Sequence, residues 1–180
     1  MAEHAEPSER RPGVSRLVVI GVGDPNRHDD GVGIAVVNRL RLRARHARPR
    51  TGIDLGPPAS LAEVRFAVSN GEATRLVDLW GDAAVAIVVN CVHTPRPIPG
   101  RVHRRSLLHP SLDGRRVASS HGAALSNALA LSSSLDRLPG AVVLYAVEPA
   151  DISAGRGLTP AVAAAAAEIA EEITTDFIPA

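Results

Sequence analysis

Three short, almost unbroken apolar runs constrain this chain more than any other feature. Leu17 to Ile20, Ala83 to Val92 and Ala141 to Val147 are rich in β-branched residues and nearly free of charge. Runs of that length are strands buried on both faces, as in parallel sheets covered by helices. The first predicts a strand over Arg16 to Val22, ending at the turn Gly21-Val22-Gly23. A helix is then expected to start near Asp29 or Asp30, where carboxylates favour the first turn. Val32, Ile34, Val36, Val37 and Leu40 supply its apolar face, and it ends before Pro49.

The rest of the chain continues the alternation. Thr51 to Leu61, with two prolines and two glycines, reads as a loop. Val64, Phe66 and Val68 alternate with Arg65 and Ala67 as a strand. Glu72 to Trp80 has helical spacing, and Ala83 to Val92 is expected to be the central strand. Pro95-Arg96-Pro97-Ile98-Pro99-Gly100 suits no regular element and leads into an edge strand over Arg101 to Ser106. A helix over Gly122 to Ser134, a strand over Ala141 to Val147 and a helix opened by Thr159-Pro160 complete the order. About five strands and four helices in this order predict an α/β fold: a three-layer α/β/α sandwich with a twisted, mostly parallel sheet. Ligands in such sheets collect beyond the carboxyl ends of the strands, here just after Val22 and Val89.

Length and charge narrow the function. The 180 residues, 45% of them apolar, allow one sizeable core, taken as a single domain over 15–180 behind a disordered tail over 1–14. All twenty positive charges are arginine, nearly balanced by nineteen carboxylates, so the net charge of +1 draws the chain to neither nucleic acid nor membrane. The arginines from Arg39 to Arg50 read as a solvated helix end, since no aromatic residues interleave with them. The first fourteen residues lack the apolar core of a signal peptide, and a lone cysteine, Cys91, suits a reducing compartment; a cytoplasmic location is expected.

Familiar signatures fail. The third glycine of a GxGxxG turn would fall on Asn26, and neither a Walker loop, an HExxH pair nor a nucleophile elbow is present. A small-ligand or nucleotide-binding module stays open on the Gly21-Val22-Gly23 turn alone. Cys91, near Val89 and Val92, reads as a buried small hydrophobe rather than a nucleophile. Asp29-Asp30 at a helix start fits capping for one aspartate and leaves the second able to face a cleft and ligate metal. Asn90 at a strand end and His121 beside Ser119-Ser120 each fit either a hydrogen-bonding or a functional role.

Taken together, the segment from Leu17 to Gly33, with Gly21-Val22-Gly23 and Asp29-Asp30-Gly31 in order, resembles the opening signature of the hydrogenase maturation endopeptidases. Ser119-Ser120-His121-Gly122-Ala123-Ala124-Leu125 looks like that family's histidine segment, and Val143 to Pro149 with Gly157-Leu158-Thr159-Pro160 like its closing strand and helix. The resemblance implies removal of a C-terminal extension from the large-subunit precursor of a NiFe hydrogenase. The nickel already sits in that substrate and is recognised rather than permanently bound. Carried over by position, the nickel-contacting residues are Asp30, Asn90 and His121, with Asp30 also the catalytic candidate. Asn90 departs from the family, which has aspartate there, and Asn70 stands near a second usually acidic position. An amide is a weaker, neutral donor, so Asp29, Asp78, Asp82 and His93 come into question as substitutes. The departure leaves a second possibility, an impaired paralogue that binds the precursor or another partner without cutting it.

Overall fold

The computed structural model describes residues 17–46, 64–81, 83–108 and 120–178. The expected tail over 1–14, the Thr51–Leu61 loop and Asp82 lie outside them. Strands β1 (Leu17–Val22), β2 (Val64–Ser69), β3 (Val85–Cys91), β4 (Val102–Leu108) and β5 (Ala141–Val147) form one sheet in the order β2-β1-β3-β5-β4. β2, β1, β3 and β5 run parallel, and β4 closes one edge antiparallel to β5. The sequence's three apolar runs are therefore the three central strands, and the alternating and arginine-bearing ones, β2 and β4, are the edges.

Helices α1 (Val32–His46), α2 (Ala73–Trp80), α3 (Ser120–Ser134) and α4 (Pro160–Phe177) cover both faces. Residues alternate between the two faces along each strand. Val19, Ile87, Val89 and Tyr145 point into a core shared with Val36 and Leu40 of α1 and Ile169 and Ile173 of α4. Val18, Ile20, Val88 and Leu144 point the other way, toward Leu76 and Trp80 of α2 and Leu125 and Ala128 of α3. Trp80 is fully buried, and its Nε1–H donates to Ser132 Oγ at 2.8 Å, tying α2 to α3 without leaving a polar atom stranded. Among the arginines of the first helix, Arg41 donates to the Phe66 carbonyl and Arg43 pairs with Glu171 at 2.6 Å, so both brace the helix against its neighbours.

Two boundaries differ from expectation. The helix expected near Asp29 begins as a 3-10 turn, His28–Gly31, and becomes α-helical only at Val32. α3 starts at Ser120 rather than Gly122, which puts His121 inside the first turn instead of before it.

The glycines of the opening segment have a packing role. A Cβ on Gly33 would stand 2.2 Å from the Val89 carbonyl oxygen and 2.6 Å from the Val22 nitrogen; one on Gly21 would stand 2.2 Å from the Gly33 oxygen. α1 thus lies with its first turn directly on the backbones of β1 and β3. Gly23, at φ +142°, comes against the Asp30 carbonyl oxygen, so a side chain there would be both strained and obstructed. Because the obstructing atoms around Gly33 are backbone, Gly33→Ala is expected to destabilise the chain by more than about 3 kcal/mol. Urea unfolding, or loss of soluble yield if the variant fails to fold, checks this.

Candidate functional site

The sheet order makes a crevice where the chain leaves β1 and β3 in opposite directions, from β1 through α1 to β2 at one edge and from β3 to β4 at the other. A cleft of about 590 Å³ opens there. Its wall is drawn from the loop after each of the four parallel strands: Gly23, Asp24, Arg27 and Asp30 after β1, Asn70 after β2, His93 after β3 and Ile152 after β5.

The two adjacent aspartates have separate tasks. Asp29 is fully buried and does not cap its own helix. Its Oδ2 accepts from the amides of Ala150 at 2.9 Å and Asp151 at 3.0 Å and from the Thr159 hydroxyl at 2.9 Å, while Oδ1 accepts from the Thr159 amide at 2.7 Å. Thr159 is the N-cap of α4, so Asp29 satisfies the start of a helix 130 residues away. The backbones reinforce the clasp: the amides of His28 and Asp29 donate to Gly155 and Asp151 carbonyls, and that of Gly155 to Asn26. Both carboxylate oxygens are engaged, and Asp29 is fully buried and does not stand on the cleft wall.

Asp30, by contrast, lines the cleft while only 8% exposed. Its Oδ2 accepts the Asp24 amide at 2.8 Å, which fixes the carboxylate's orientation across the turn. Asn90 sits at the end of β3, 4% exposed, on the face shared with Val88 and Val92 that α3 covers. Its Oδ1 is buried and has no hydrogen-bond partner among the described residues, whereas buried polar atoms in folded proteins are mostly paired. Asn90 is not among the cleft-lining residues. His121 occupies the first turn of α3, on that same side of the sheet; its side chain lies outside the described residues. The structure therefore places Asp30 and His93 on one cleft and Asn90 buried beside the end of the same strand system.

The other candidates separate clearly. Asp78 is exposed on α2 and pairs with Arg137 at 3.2 Å, away from the cleft wall. Asn70 lines the cleft, and its Oδ1 accepts the Glu72 amide at 3.2 Å. Cys91 points to the α1 side of the sheet, opposite to Asn90. Burial, followed by the charges of Asp30 and Asp29, pushes its thiol up to about 12, which keeps it protonated and supports its role as a small hydrophobe. Among the described residues no group of three or more His, Cys, Asp or Glu side chains is placed to hold a metal by itself. No helix among them is long and apolar enough to cross a membrane.

Glu148 escaped sequence reasoning. It follows β5, is 1% exposed, and accepts from the Ile98 amide and from His103 Nε2 at 2.7 Å, with Arg101 at 4.0 Å. It thereby pins the proline-rich 95–100 loop, whose Gly100 amide also donates to the Glu148 carbonyl. The available signal was a carboxylate closing an apolar strand, which has to find partners if it is buried.

Two outcomes are expected from these carboxylates. Asp29→Asn keeps the shape but turns donor hydrogens toward donors, and should cost about 3 kcal/mol. Hydrogen exchange would locate the damage, with the amides of Ala150, Asp151 and Thr159 losing protection first. The Ile98 amide, then the His103 imidazole, hold the Glu148 carboxyl below its ordinary value of 4.5. A depressed folded value means that this contribution is complete above about pH 4.5 and is lost as pH falls through the folded value. Unfolding measured from pH 7 to pH 3 should show an acid-side decline that Glu148→Gln flattens.

No protein-family model and no curated protein sequence matches the chain. Solved structures do match. The hydrogenase maturating endopeptidase HybD from E. coli superposes with a TM-score of 0.68 at 19% identity, over 89% of this chain and 90% of that one. An endopeptidase from Escherichia coli, determined in solution, gives 0.67 at 18% identity, over 91% and 94%. The NiFe hydrogenase maturation protease HybD from Thermococcus kodakarensis gives 0.61 at 16% identity, over 89% and 97%. The chain has the fold of these proteins along nearly its whole length.

Proposed function

We propose that the chain is a hydrogenase maturation endopeptidase, which removes the C-terminal extension of a nickel-loaded large-subunit precursor in the cytoplasm. The observation that carries this is the oriented Asp30 carboxylate in a cleft beyond the parallel strands. The opening signature and a fold shared with known maturation proteases over about nine-tenths of the chain support it.

In this function the nickel arrives with the substrate. Asp30 contacts it with a charged oxygen, His121 with an imidazole from the first turn of α3, and Asn90 holds the third position with a neutral amide oxygen. A carboxylate and an imidazole suit nickel, and docking of a metal-loaded precursor fixes the scissile peptide before any bond is cut. Asp30 is then the group able to take the proton of a water attacking the scissile carbonyl. The peptide's two halves leave as a carboxylate and an amine.

One observation favours a second reading, a paralogue that binds the precursor without cutting. Asn90 carries no charge, and its Oδ1 lacks a partner among the described residues. Cleavage of a nickel-loaded precursor, followed by its mobility on a denaturing gel, separates the two. The wild type is expected to cut, and Asn90→Asp to cut faster by about tenfold, the usual effect of improving one metal contact. Cutting by Asn90→Asp alone would establish the non-cutting paralogue, and no cutting by either would remove the peptidase.

A further inference from the structure

Resting on that nickel-reading function, we propose that His93 supplies the contact that Asn90 weakens, so that Asp30 and the His93 imidazole together receive the substrate's nickel.

Both side chains stand on the wall of one cleft, His93 from the loop after β3 and Asp30 from the turn after β1. Position follows from strand alternation. Asn90 and Val92 face α2 and α3, Cys91 faces α1, and the chain leaves the sheet immediately afterwards. His93 consequently emerges at the mouth of the crevice instead of in either core, and it is exposed. Its stem is held, because the Val92 amide donates to the Val147 carbonyl at 2.9 Å.

Availability distinguishes His93 from the other imidazoles. Three histidines have described side chains. His28 Nδ1 donates to the Gly157 carbonyl at 3.2 Å, and His103 is bound to Glu148 at 2.7 Å. His93 makes no hydrogen bond or ion pair with the described residues, although it shares a cleft with a buried carboxylate. The acidic alternatives among the described residues are committed elsewhere, Asp29 to the Thr159 clasp and Asp78 to Arg137. An imidazole nitrogen is a far better donor to nickel than a carboxamide oxygen, and a ring on a short exposed loop can turn toward the metal without disturbing the core.

The test is binding of Ni²⁺ alone, measured by titration calorimetry on the untagged full chain in a His4→Ala background, which removes the histidine nearest the amino terminus as a competitor. Paramagnetic broadening of amide signals locates the ion. Broadening is expected to centre on Asp24, Asp30 and His93, and His93→Ala should weaken binding at least about tenfold. Asp30→Asn should weaken it as well, with thermal unfolding showing that both variants remain folded. Wild-type affinity in His93→Ala, or broadening centred away from His93, overturns the inference. Precursor cleavage is scored separately: His93-dependent nickel binding without cleavage keeps this contact and removes the peptidase, whereas cleavage with nickel affinity indifferent to His93 does the reverse.

Discussion

The arrangement of the cleft depends on one buried carboxylate. Asp29 joins the turn after β1 to the segment that leads from β5 into α4, engaging both its oxygens with Ala150, Asp151 and Thr159. These segments are otherwise irregular loops, and irregular backbone stays in place only if its polar groups find partners. By providing four acceptor contacts from one side chain, Asp29 makes the two loops a single unit. The cleft wall inherits that rigidity, since Arg27 and Asp30 flank Asp29 and Ile152 lies beside Asp151.

The glycines act on the same unit from below. Gly21 and Gly33 let α1 sit directly on β1 and β3, which brings the preceding 3-10 turn up against the ends of both strands. A bulkier contact would lift the turn and carry Asp30 away from the loop after β3. Close packing therefore sets the span of the cleft, and Asp29 keeps its upper edge closed against the loop after β5.

Much of this was legible in the sequence. Burial on both faces forces long apolar runs, so β1, β3 and β5 were visible as such, while alternation marked β2 as a strand and the proline-rich approach marked β4 as an edge. The cleft followed from the strand order. Asp29 was legible as a polar residue at a helix start but not as the partner of Thr159, the N-cap of α4, because its partners lie 121 to 130 residues on and local spacing suggests the nearer helix. Glu148 was invisible for a related reason: its partners arise only when β4 folds back against β5. Composition could flag His93 and Cys91 equally, and only the pleat of β3 sends one to the cleft and the other into the core.

Asn90 shows how stability and recognition can pull one position in opposite directions. A residue 4% exposed, whose acceptor finds no partner among the described residues, already costs the desolvation of that oxygen, of the order of 1–3 kcal/mol. A carboxylate in its place would cost more until a cation arrived, because a buried unpaired charge is penalised far beyond a buried amide. A metal-reading aspartate is thus a strained group that its substrate relaxes, and asparagine removes most of that strain along with most of the attraction. On the proposed function, a chain with Asn90 gains a more stable free state and transfers metal reading to groups that water can solvate while they wait. An exposed imidazole at the cleft mouth satisfies that condition, and a second buried acid does not.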